Sequence, residues 1–419
     1  MVPTVLLIAA AAAGANEETP VSREIIRQVL TDAHRNIRID DWSLTSEEMT
    51  PGSLLRWRVE KDVLRGGRQE GVDRIRVDNG VLSFTIIPTR GMNLWQAQCG
   101  NLRLGWDSPV KEVVHPQYVS LTDRGGLGWL EGFGEWINRC GLASNGAPGE
   151  DRVPSNTGAM VPVNLTLHGK VSYLPARQVE VIVEPGAEPL IRIRGVVDET
   201  MMYGTQLRLI TEISTRVGST SLTIHDEIRN LAATPQEFQI LYHANFGSPL
   251  LEDGASLVAP ALRVTPRDAR AAEGDIKKWN SYGPPTLGYT EQVYFLALAG
   301  NAKGETEVLL RNAAGDRGVS MTFSVRELPH LTLWKNTAAV ENGYVTGIEP
   351  ATNYPNNRGF ERKNGRVPVL KGGESHHATV TITAHLDAKA VTEAAGRVQA
   401  LLGSAEVRLD PQPAPELCP

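Results

Sequence analysis

Alternating apolar and polar positions run through the middle of this chain. The clearest runs are VEVIVE (179–184), LIRIRGVV (190–197), QLRLITEIST (206–215), SLTIHDEIRN (221–230) and HATVTITAHL (377–386). Successive side chains of a β-strand point to opposite faces, so a period of two places the apolar residues together on one face. The pattern therefore predicts antiparallel strands with one face on a core and the other toward solvent.

Turn-forming residues separate the strand patterns along most of the chain. The sequence contains 40 glycines and 26 prolines, which supply the backbone conformations that turns require. Strand patterns do not alternate with helical ones, so a parallel α/β fold is not expected. Together these features predict an all-β fold, in which residues 51–386 form one large antiparallel β-sandwich with a few short peripheral helices.

The two ends of the chain carry helical patterns instead. In VSREIIRQVLTDAHRN (21–36), apolar residues at 25, 26, 29 and 30 recur at helical spacing, which predicts an amphipathic helix within a helical N-terminal extension at 16–50. Residues 387–419 are expected to form a C-terminal helix and tail, with Asp387 as the N-cap and Gly403 at the helix end. The proline-rich tail is expected to be disordered or to lie on the surface.

The first 15 residues resemble a secretory signal peptide. An apolar run at 5–13 leads into Ala13-Gly14-Ala15, small residues at which a signal peptidase could cleave. This predicts export to the periplasm or the medium. Neither Lys nor Arg precedes the run, so an ordinary N-terminal segment of a cytoplasmic protein remains the alternative. The run is too short to span a bilayer, and no membrane insertion is expected.

Composition describes a globular protein with a large core. Of 419 residues, 41% are hydrophobic and 21% are charged, and the net charge is −6. Because the balance is acidic and no run of Lys or Arg occurs, a nucleic-acid partner is not expected. A small neutral molecule is the expected partner. Nothing in the sequence indicates the oligomeric state.

No metal or cofactor is expected from the sequence. The three cysteines show no CxxC spacing, the histidines show no HExxH spacing, and no glycine-rich phosphate-binding motif is present. Pairing of Cys99 with Cys140 stays open if the protein is exported.

Glu349 is the strongest candidate for a catalytic group. It ends the apolar pattern in GYVTGIEPATNYPNNR (343–358) and precedes Pro350. Proline removes a backbone donor and restrains the preceding residue to extended geometry, so the strand is expected to stop there with the carboxylate at a rim. A carboxylate held in this way can act as a general base. The alternative is an ordinary solvent-facing glutamate.

Two histidines occupy similar positions. His168 follows the alternating VNLTL (163–167) and precedes a glycine, and His243 follows the apolar FQILY (238–242). Both are expected to line the same rim as Glu349, where an imidazole can give or take a proton near neutral pH. The alternative for each is a side chain that is merely hydrogen-bonded at a strand end.

Arginine and aromatic residues supply candidate ligand contacts. Arg90 and Arg139 each follow an apolar strand and closely precede a glycine, so either guanidinium could be held toward ligand oxygens or could form a structural ion pair. Trp129, Phe133 and Trp136 could form an aromatic wall for a sugar ring or pack in the core.

Four motifs, in this order, resemble those of one protein superfamily. LHG (167–169), DEIRNLAATPQEFQILYHANFG (226–247), GIEPAT (347–352) and VLKGGES (369–375) are similar to segments of the aldose 1-epimerase, or galactose mutarotase-like, superfamily, and point to an uncharacterised branch of it. The resemblance runs from about residue 73 to residue 386. The order of His168, His243 and Glu349 along the chain also matches the superfamily.

The resemblance implies a β-sandwich enzyme without metal or cofactor that interconverts the α and β anomers of a free sugar. It assigns Glu349 as the base, His243 as the acid and His168 as the histidine that orients or polarises the sugar. Arg139 matches the superfamily's substrate-binding arginine. Further candidates for binding sugar hydroxyls are Arg90, Lys335, Asn353, Asn357 and Arg358.

Two questions stay open at this level. The superfamily's sugar-binding aspartate has no clear counterpart in this chain, so the sugar is not specified. A non-catalytic carbohydrate-binding protein, or another sugar isomerase or lyase on the same sandwich, remains an alternative to the epimerase.

Overall fold

The structure is a computed structural model that describes residues 24–49 and 55–419. Strands make up most of its regular structure. The first fourteen, in chain order, are β1 (Ile26–Asp32), β2 (Ile37–Arg38), β3 (Trp42–Thr45), β4 (Arg58–Val63), β5 (Asp73–Asp78), β6 (Leu82–Ile87), β7 (Asn93–Cys99), β8 (Leu102–Leu104), β9 (Ile137–Leu142), β10 (Gly149–Pro154), β11 (Met160–Leu165), β12 (Gln178–Glu184), β13 (Leu190–Thr200) and β14 (Gln206–Arg216). They are followed by β15 (Ser221–Asn230), β16 (Gln236–Glu237), β17 (Gln239–Phe246), β18 (Ser256–Val258), β19 (Ala261–Pro266), β20 (Gln292–Leu298), β21 (Glu305–Arg311), β22 (Gly318–Ser324), β23 (His330–Asn336), β24 (Val345–Ala351), β25 (Val369–Leu370), β26 (Ser375–His385) and β27 (Arg408–Leu409).

Helices are few and lie around the sheets. They are α1 (Ser46–Met49), α2 (Asp123–Gly126), α3 (Ala269–Ala272), α4 (Arg358–Lys363) and α5 (Ala388–Leu402). Short 3-10 turns occur at Gly67–Gln69, Pro88–Arg90, Pro116–Tyr118, Gly128–Gly132, Val171–Tyr173, Ile276–Lys278 and Val340–Asn342. The predicted all-β class with short peripheral helices is confirmed.

Two large sheets form the body of the sandwich. The ten-stranded sheet has the order β18-β21-β22-β26-β15-β14-β13-β12-β1-β2. The thirteen-stranded sheet has the order β27-β19-β20-β23-β24-β17-β9-β7-β6-β5-β4-β3, with β8 paired to β7. Neighbouring strands in both sheets are antiparallel, except that β27 runs parallel to β19.

The ten-stranded sheet shows why the sequence alternates. In β14, Leu207, Leu209, Thr211 and Ile213 are buried, while the residues that alternate with them are partly exposed. All five alternating runs form strands, at β12, β13, β14, β15 and β26, as predicted. Their apolar residues join those of the thirteen-stranded sheet in one continuous core between the two sheets.

The central strands of the thirteen-stranded sheet are buried on both faces. Every residue of β17 and β24 is buried. One face of these strands packs on the core between the sheets. The other face lies beneath residues 106–136, here called the covering segment, whose Trp106, Trp129 and Phe133 pack against it.

The helix predicted near the N-terminus is wrong. Residues Ile26–Asp32 form strand β1, which pairs with β12 at the edge of the ten-stranded sheet. The apolar spacing fits a helix, but pairing with β12 satisfies the backbone hydrogen bonds of this segment. Within the described part of 16–50, α1 is the only helix, and strands from this region join both sheets. The candidate signal peptide, residues 1–15, lies outside the described residues.

The C-terminal helix is confirmed. It spans Ala388–Leu402, and the Asp387 carboxylate caps it by accepting a hydrogen bond from the backbone of Ala390. The tail beyond it packs on the body, since β27 pairs with β19 and Cys418 is buried. Apolar contacts and the added strand therefore hold the tail on the surface of the sandwich.

All three cysteines are free and buried, so the pairing of Cys99 with Cys140 is not formed. Among the described residues, no helix combines the length and apolar character needed to cross a membrane.

Candidate active site

Antiparallel register brings four polar residues into one row across neighbouring strands. Asn138 in β9 pairs with His243 in β17, and Glu349 in β24 pairs with Thr332 in β23. His243 Nε2 lies 3.2 Å from Glu349 Oε1, which joins the two pairs. Because cross-strand partners share a face of a sheet, all four side chains belong to the face beneath the covering segment.

The sequence predicted that Glu349 ends its strand. In the structure Glu349 lies within the strand. Strand β24 continues through Pro350 to Ala351, and Pro350 pairs with Leu331. The pairing of β24 with β17 skips the positions of Tyr242 and His243. The missing N–H of Pro350 therefore interrupts the ladder locally without ending the strand.

Glu349 and His243 are buried and do not lie on an open rim. Only 2% of Glu349 and 5% of His243 is exposed. Their contact at 3.2 Å is not aligned as a hydrogen bond, so Glu349 Oε1 has no hydrogen-bond partner among the described residues. The close approach of the carboxyl and imidazole groups that the sequence predicts is present.

Asn245 fixes the tautomer of His243. The Asn245 amide nitrogen donates to the backbone carbonyls of Glu135 (3.0 Å) and His243 (3.1 Å), so its Oδ1 must be the atom that faces His243 Nδ1 at 2.8 Å. An oxygen acceptor requires a proton on Nδ1. In the neutral imidazole, Nε2 is therefore the bare nitrogen, and it faces Glu349.

His168 enters the site from a tight turn. Its backbone has φ 57°, and its Nδ1 lies 2.9 Å from the backbone oxygen of Asn145, to which it donates. The next residue must be glycine, because a Cβ at Gly169 would lie 2.0 Å from the Ser144 carbonyl. The ring centroids of His168 and His243 are 5.3 Å apart. The structure thus brings together all three residues predicted to carry the chemistry.

Desolvation disfavours the charged form of each of these three groups. Burial lowers the pKa of His168 to about 4. Burial, and then the neighbouring His168, hold the pKa of His243 well below its usual value. Burial raises the pKa of Glu349 well above the usual carboxyl range, and the Glu291 carboxylate adds to this rise. The causes agree, since each group has been moved from water into an apolar surrounding.

Polar atoms without protein partners point to a ligand position in this row. Within the described residues, hydrogen-bond partners are lacking for Asn138 Oδ1 and Nδ2, Thr332 Oγ1, Glu349 Oε1 and Trp129 Nε1. Leaving a buried polar group unpaired costs about 1–3 kcal/mol. Several such groups around the Glu349–His243 pair, on the same face of the sheet, therefore favour a polar molecule bound there.

Aromatic rings enclose the pair. The Trp129 ring lies 4.7 Å from His168, and the Phe133 ring lies 5.1 Å from His243, measured between centroids. Trp334 contributes a third ring 5.4 Å from His243. Of the predicted aromatic wall, Trp129 and Phe133 thus lie at the site, whereas Trp136 packs in the core between the sheets.

A polar contact borders the aromatic enclosure. The Trp334 indole donates to Glu291 at 2.7 Å, and Glu291 also accepts from Arg267 at 3.0 Å. Glu291 is partly exposed. It therefore places a negative charge near the boundary of the site while remaining paired with a cation.

A family model described as a domain of unknown function, DUF4432, matches residues 69–384. The chain belongs to this family. The chain is 38% identical to a candidate aldose 1-epimerase from Klebsiella pneumoniae, over 94% of this chain and 99% of that one, with a TM-score of 0.87. No curated protein matches the chain.

More distant solved structures share the fold of this chain. A galactose mutarotase-like protein from Clostridium acetobutylicum is 15% identical over 83% of this chain and 99% of that one, with a TM-score of 0.52. A candidate aldose 1-epimerase from Escherichia coli K12 is 12% identical over 75% of this chain and 100% of that one, with a TM-score of 0.50. The resemblance to the galactose mutarotase-like superfamily is confirmed at the level of fold.

Arg139 of this chain points away from His168 and His243. It follows Asn138 in β9, so its side chain enters the opposite face of the sheet. There it pairs with Asp226 of the ten-stranded sheet at 2.5 Å and donates to Thr211 at 2.7 Å. The expected substrate-binding arginine is instead a fully buried link between the two sheets.

Arg90 is likewise occupied by the protein. Its guanidinium donates to the backbone carbonyls of Ser172 (3.0 Å), Val114 (2.8 Å) and Gly132 (3.1 Å), and lies 2.7 Å from the Glu135 carboxylate. Since Val114, Gly132 and Glu135 all belong to the covering segment, Arg90 anchors that segment to the body. It does not face the Glu349–His243 pair.

Three other predicted contacts act at a distance from the pair. Asn353 forms a reciprocal amide pair with Asn145, at 3.0 and 3.1 Å. Arg358 binds Asp151 at 2.6 Å, and Asn357 caps α4 through the backbone of Gly359. These contacts hold the loop at 143–151, whose Asn145 carbonyl orients His168. Their structural role is to position that histidine.

Lys335 lies on the face of β23 opposite to Thr332 and Trp334. It lines a separate cavity of about 380 Å³, and His168, His243 and Glu349 are not among the lining residues of that cavity. Lys335, the last of the six expected sugar contacts, is therefore not part of this site.

Asn138, Thr332 and Asn245 were not singled out from the sequence. Asn245 lies two residues beyond His243, and this spacing places both side chains on the same face of a strand. No comparable signal exists for Asn138 and Thr332, because their positions depend on strand register. Among the described residues, no group of three or more His, Cys, Asp or Glu side chains could hold a metal ion.

Proposed function

We propose that this protein is a carbohydrate-binding enzyme of the aldose 1-epimerase type, which interconverts the α and β anomers of an aldose. The observation that carries the proposal is the buried contact between Glu349 Oε1 and His243 Nε2 at 3.2 Å. This contact lies in a row whose other members, Asn138 and Thr332, have polar atoms without protein partners.

Anomer interconversion needs one proton removed and one proton supplied. A base takes the proton from the C1 hydroxyl, the C1–O1 bond becomes a carbonyl, and the ring C1–O5 bond breaks while O5 receives a proton. Rotation about the C1–C2 bond and the reverse steps then give the other anomer. The total number of protons on enzyme and sugar does not change, so an acid and a base are sufficient.

The Glu349–His243 pair suits this exchange because it can hold one proton in two forms. A protonated carboxyl with a neutral imidazole, and a carboxylate with an imidazolium, contain the same atoms and the same total charge. Burial favours the uncharged form, as the pKa directions of Glu349 and His243 indicate. Hydrogen bonds from a bound sugar favour the ionised form, in which Glu349 takes the O1 proton and His243 protonates O5.

Substrate binding is assigned to the unpartnered groups around the pair. Asn138 can both donate and accept, Thr332 can do the same, and the Trp129 indole can donate. His168, whose Nδ1–H is held by Asn145, presents a bare Nε2 that accepts from a sugar hydroxyl. A molecule lacking these hydroxyls would leave buried polar groups unpaired, which gives the site its selectivity.

The proposed substrate is neutral. The two arginines expected to contact it, Arg139 and Arg90, are engaged by Asp226 and by the covering segment. The groups that remain are amides, a hydroxyl, an imidazole and aromatic rings. These bind hydroxyls and the apolar face of a sugar ring without requiring a charge on the ligand.

Access to the pair requires movement of the protein. Because only 2% of Glu349 is exposed, a sugar can reach it only when part of the enclosure opens. The covering segment is the element whose Trp129 and Phe133 enclose the histidines. Closure over the bound sugar would then exclude water from the proton transfers.

The fold and the relatedness to a candidate aldose 1-epimerase support the proposal. That Klebsiella pneumoniae protein is 38% identical and shares nearly the full length. The more distant solved structures contribute the fold alone.

The test follows pure anomers as they equilibrate. A panel of α-aldoses, including glucose, galactose and arabinose, is monitored by ¹H NMR with wild-type protein, Glu349→Gln and the matched control Glu393→Gln. The control makes the same chemical change in α5, where Glu393 is exposed. At least one sugar is expected to equilibrate faster with wild type and control, and at the uncatalysed rate with Glu349→Gln.

Two results would contradict the proposal. In the first, the wild type accelerates the equilibration of no aldose, and both the wild type and Glu349→Gln bind a sugar saturably. This result would indicate a carbohydrate-binding protein. Unsaturated products absorbing in the ultraviolet would indicate a lyase.

A further inference from the structure

A second cavity lies on the reverse side of the thirteen-stranded sheet from Glu349. Its volume is about 380 Å³, and it is lined by Lys335, Tyr282, Tyr289 and Tyr294 together with the exposed carboxylates Glu273 and Asp275. Residue Lys335 follows Trp334 in β23, and adjacent residues of a strand point to opposite faces. The cavity and the Glu349–His243 pair are therefore separate.

Lys335 is buried without a counter-ion. Only 5% of Lys335 is exposed, and its Nζ donates to the backbone carbonyls of Ser281 at 2.7 Å and Lys278 at 3.4 Å. No carboxylate in the described ranges 24–49 and 55–419 forms an ion pair with it within 4.0 Å. Buried charges in proteins are normally paired, so an unpaired ammonium at a cavity wall is unusual.

The surroundings of Lys335 confirm that its charge is uncompensated. Burial alone lowers the pKa of its ammonium to about 8. A nearby carboxylate would act in the opposite direction, and none contributes. The rings of Tyr282 and Tyr294 lie 5.3 and 5.7 Å from Nζ and provide only a weak attraction through their faces.

The dimensions of the cavity define the size of its occupant. At roughly 30 Å³ for each water-sized group, a volume of about 380 Å³ accommodates on the order of a dozen non-hydrogen atoms. A six-carbon sugar acid has this size. Three tyrosine rings supply flat walls, and tyrosine and carboxylate oxygens supply partners for hydroxyl groups.

We propose that this cavity is a second ligand site for a small hydroxycarboxylate of about six carbons, whose carboxylate binds the Lys335 ammonium. The exposed Glu273 and Asp275 accept hydrogen bonds from hydroxyl groups of the ligand. Their negative charge also disfavours doubly charged anions, which selects a monoanion over phosphate. The site does not depend on the anomer chemistry proposed for Glu349.

The test measures binding of gluconate by isothermal titration calorimetry at constant ionic strength. Wild-type protein is compared with Lys335→Met, which removes the charge, and Gly283→Phe, which fills space. Gly283 lines the cavity, and a Cβ there meets nothing within 4 Å, so the larger side chain enters open space. Both variants are expected to weaken gluconate binding roughly tenfold or more.

Control arms locate the ligand and define its chemistry. Glu349→Gln is expected to bind gluconate as wild type does, within about twofold, because Glu349 lies on the other face of the sheet. Acetate, inorganic phosphate and glucose are each expected to bind the wild type more weakly than gluconate does. Gluconate affinity should fall as the pH rises through about 8, where Lys335 loses its proton.

Three results would overturn the inference. The first is the absence of gluconate binding to wild type. The second is binding that Glu349→Gln abolishes and that both cavity variants retain, which would place gluconate at the sugar site. The third is equal affinity for phosphate and gluconate, which would describe an unselective anion contact.

Discussion

Glu349 differs in its surroundings from the buried carboxylates that arginine side chains bind. Asp151 is bound by Arg358 and Arg362, and Asp226 is bound by Arg139. In the part of the chain that the structure describes, His243 is the only basic side chain within 4.0 Å of Glu349. A carboxylate paired with arginine is held ionised, whereas Glu349 can exchange a proton.

The pKa directions predict where the acid limb of the proposed activity lies. The reactive pair holds one proton, and it gains a second only when His243 protonates, which burial moves well below the ordinary histidine value of about 6.5. It loses its last proton only above the raised pKa of Glu349. We expect the acid limb of kcat/KM for anomer interconversion to lie below about pH 6.5. An acid limb at or above pH 6.5 would contradict this prediction.

Asn245 is predicted to act by orienting His243. Asn245→Leu removes the acceptor for Nδ1–H and permits the other tautomer, in which Nε2 carries the proton. We expect kcat to fall by between roughly 10-fold and 10⁴-fold, the upper figure being that of a histidine held in the wrong tautomer, with little change in KM. Nitrogen NMR of labelled histidine checks the tautomer directly.

The matched control for Asn245 is Asn342→Leu, at an exposed position on a 3-10 turn. It is expected to leave both kcat and the NMR signals unchanged. Loss of rate in Asn245→Leu with an unaltered tautomer would assign Asn245 a purely structural role.

At the residue scale, the sequence selected three residues that the structure brings together, but it did not select the groups that surround them. Glu349, His243 and His168 could be selected because their types and order match a known pattern. The arginines could not be assigned, because Arg139 alternates with Asn138 and the inward or outward face of β9 depends on its register. A shift of one residue along β9 decides whether a side chain faces the site, as Asn138 does, or the core between the sheets, as Arg139 does.

At the scale of elements, the covering segment decides whether the pair is dry or open. It contains little regular structure, with α2 and two short 3-10 turns. Arg90 compensates by binding the carbonyls of Val114 and Gly132, and the Tyr173 hydroxyl donates to the Trp129 carbonyl. Side-chain hydrogen bonds thus replace the backbone ladder that a strand or long helix would provide.

Removal of this anchor is predicted to destabilise the fold. Arg90→Met leaves Glu135 without its cation and several carbonyls without donors, and should lower the free energy of unfolding by about 3–5 kcal/mol. Denaturant unfolding measures the change. Adding Glu135→Leu should recover part of the loss, while Arg124→Met, at an exposed position of the same segment, should shift stability by less than about 0.5 kcal/mol. Equal stability of Arg90→Met and wild type would contradict the anchoring role.

Element boundaries were predicted less well than element types. Strand β1 was assigned as a helix because the apolar residues at 25, 26, 29 and 30 recur at helical spacing, whereas pairing with β12 makes this segment a strand. Strand β24 was expected to stop before Pro350, yet it continues because β23 pairs with it on one side and tertiary packing holds it on both faces. Local preference yields to such packing when the segment lies at the centre of a sheet.

For the whole molecule, the two sheets are joined by polar contacts as well as by apolar packing. Arg139 in the thirteen-stranded sheet pairs with Asp226 in the ten-stranded sheet, and the Tyr242 hydroxyl donates to the same carboxylate at 2.9 Å. Arg139 and Tyr242 adjoin Asn138 and His243 along their strands. The contact between the sheets therefore also sets the positions of two residues of the site.

Substitution of Arg139 distinguishes a link between the sheets from a substrate contact. Arg139→Met should lower the free energy of unfolding by about 3–5 kcal/mol, because Asp226 is left buried and unpaired. The double variant with Asp226→Leu should recover part of this loss in a denaturant titration. Arg229→Met, at an exposed position of β15, is the control and should be neutral. Unchanged stability with a raised KM for sugar would instead support the role first expected from the motif.

The sequence by itself determined the fold class, five of the main strands, the C-terminal helix and the three residues proposed to act on the sugar. These depend on local periodicity, on capping and on motif order, which are properties of neighbouring residues. Tertiary structure alone decided that β1 is a strand, that Glu349 is enclosed, that Asn138 and Thr332 join its row, and that Lys335 serves another cavity. Each of these depends on strand register and on the packing of distant segments, and a shift of one residue would exchange the two faces of the sheet.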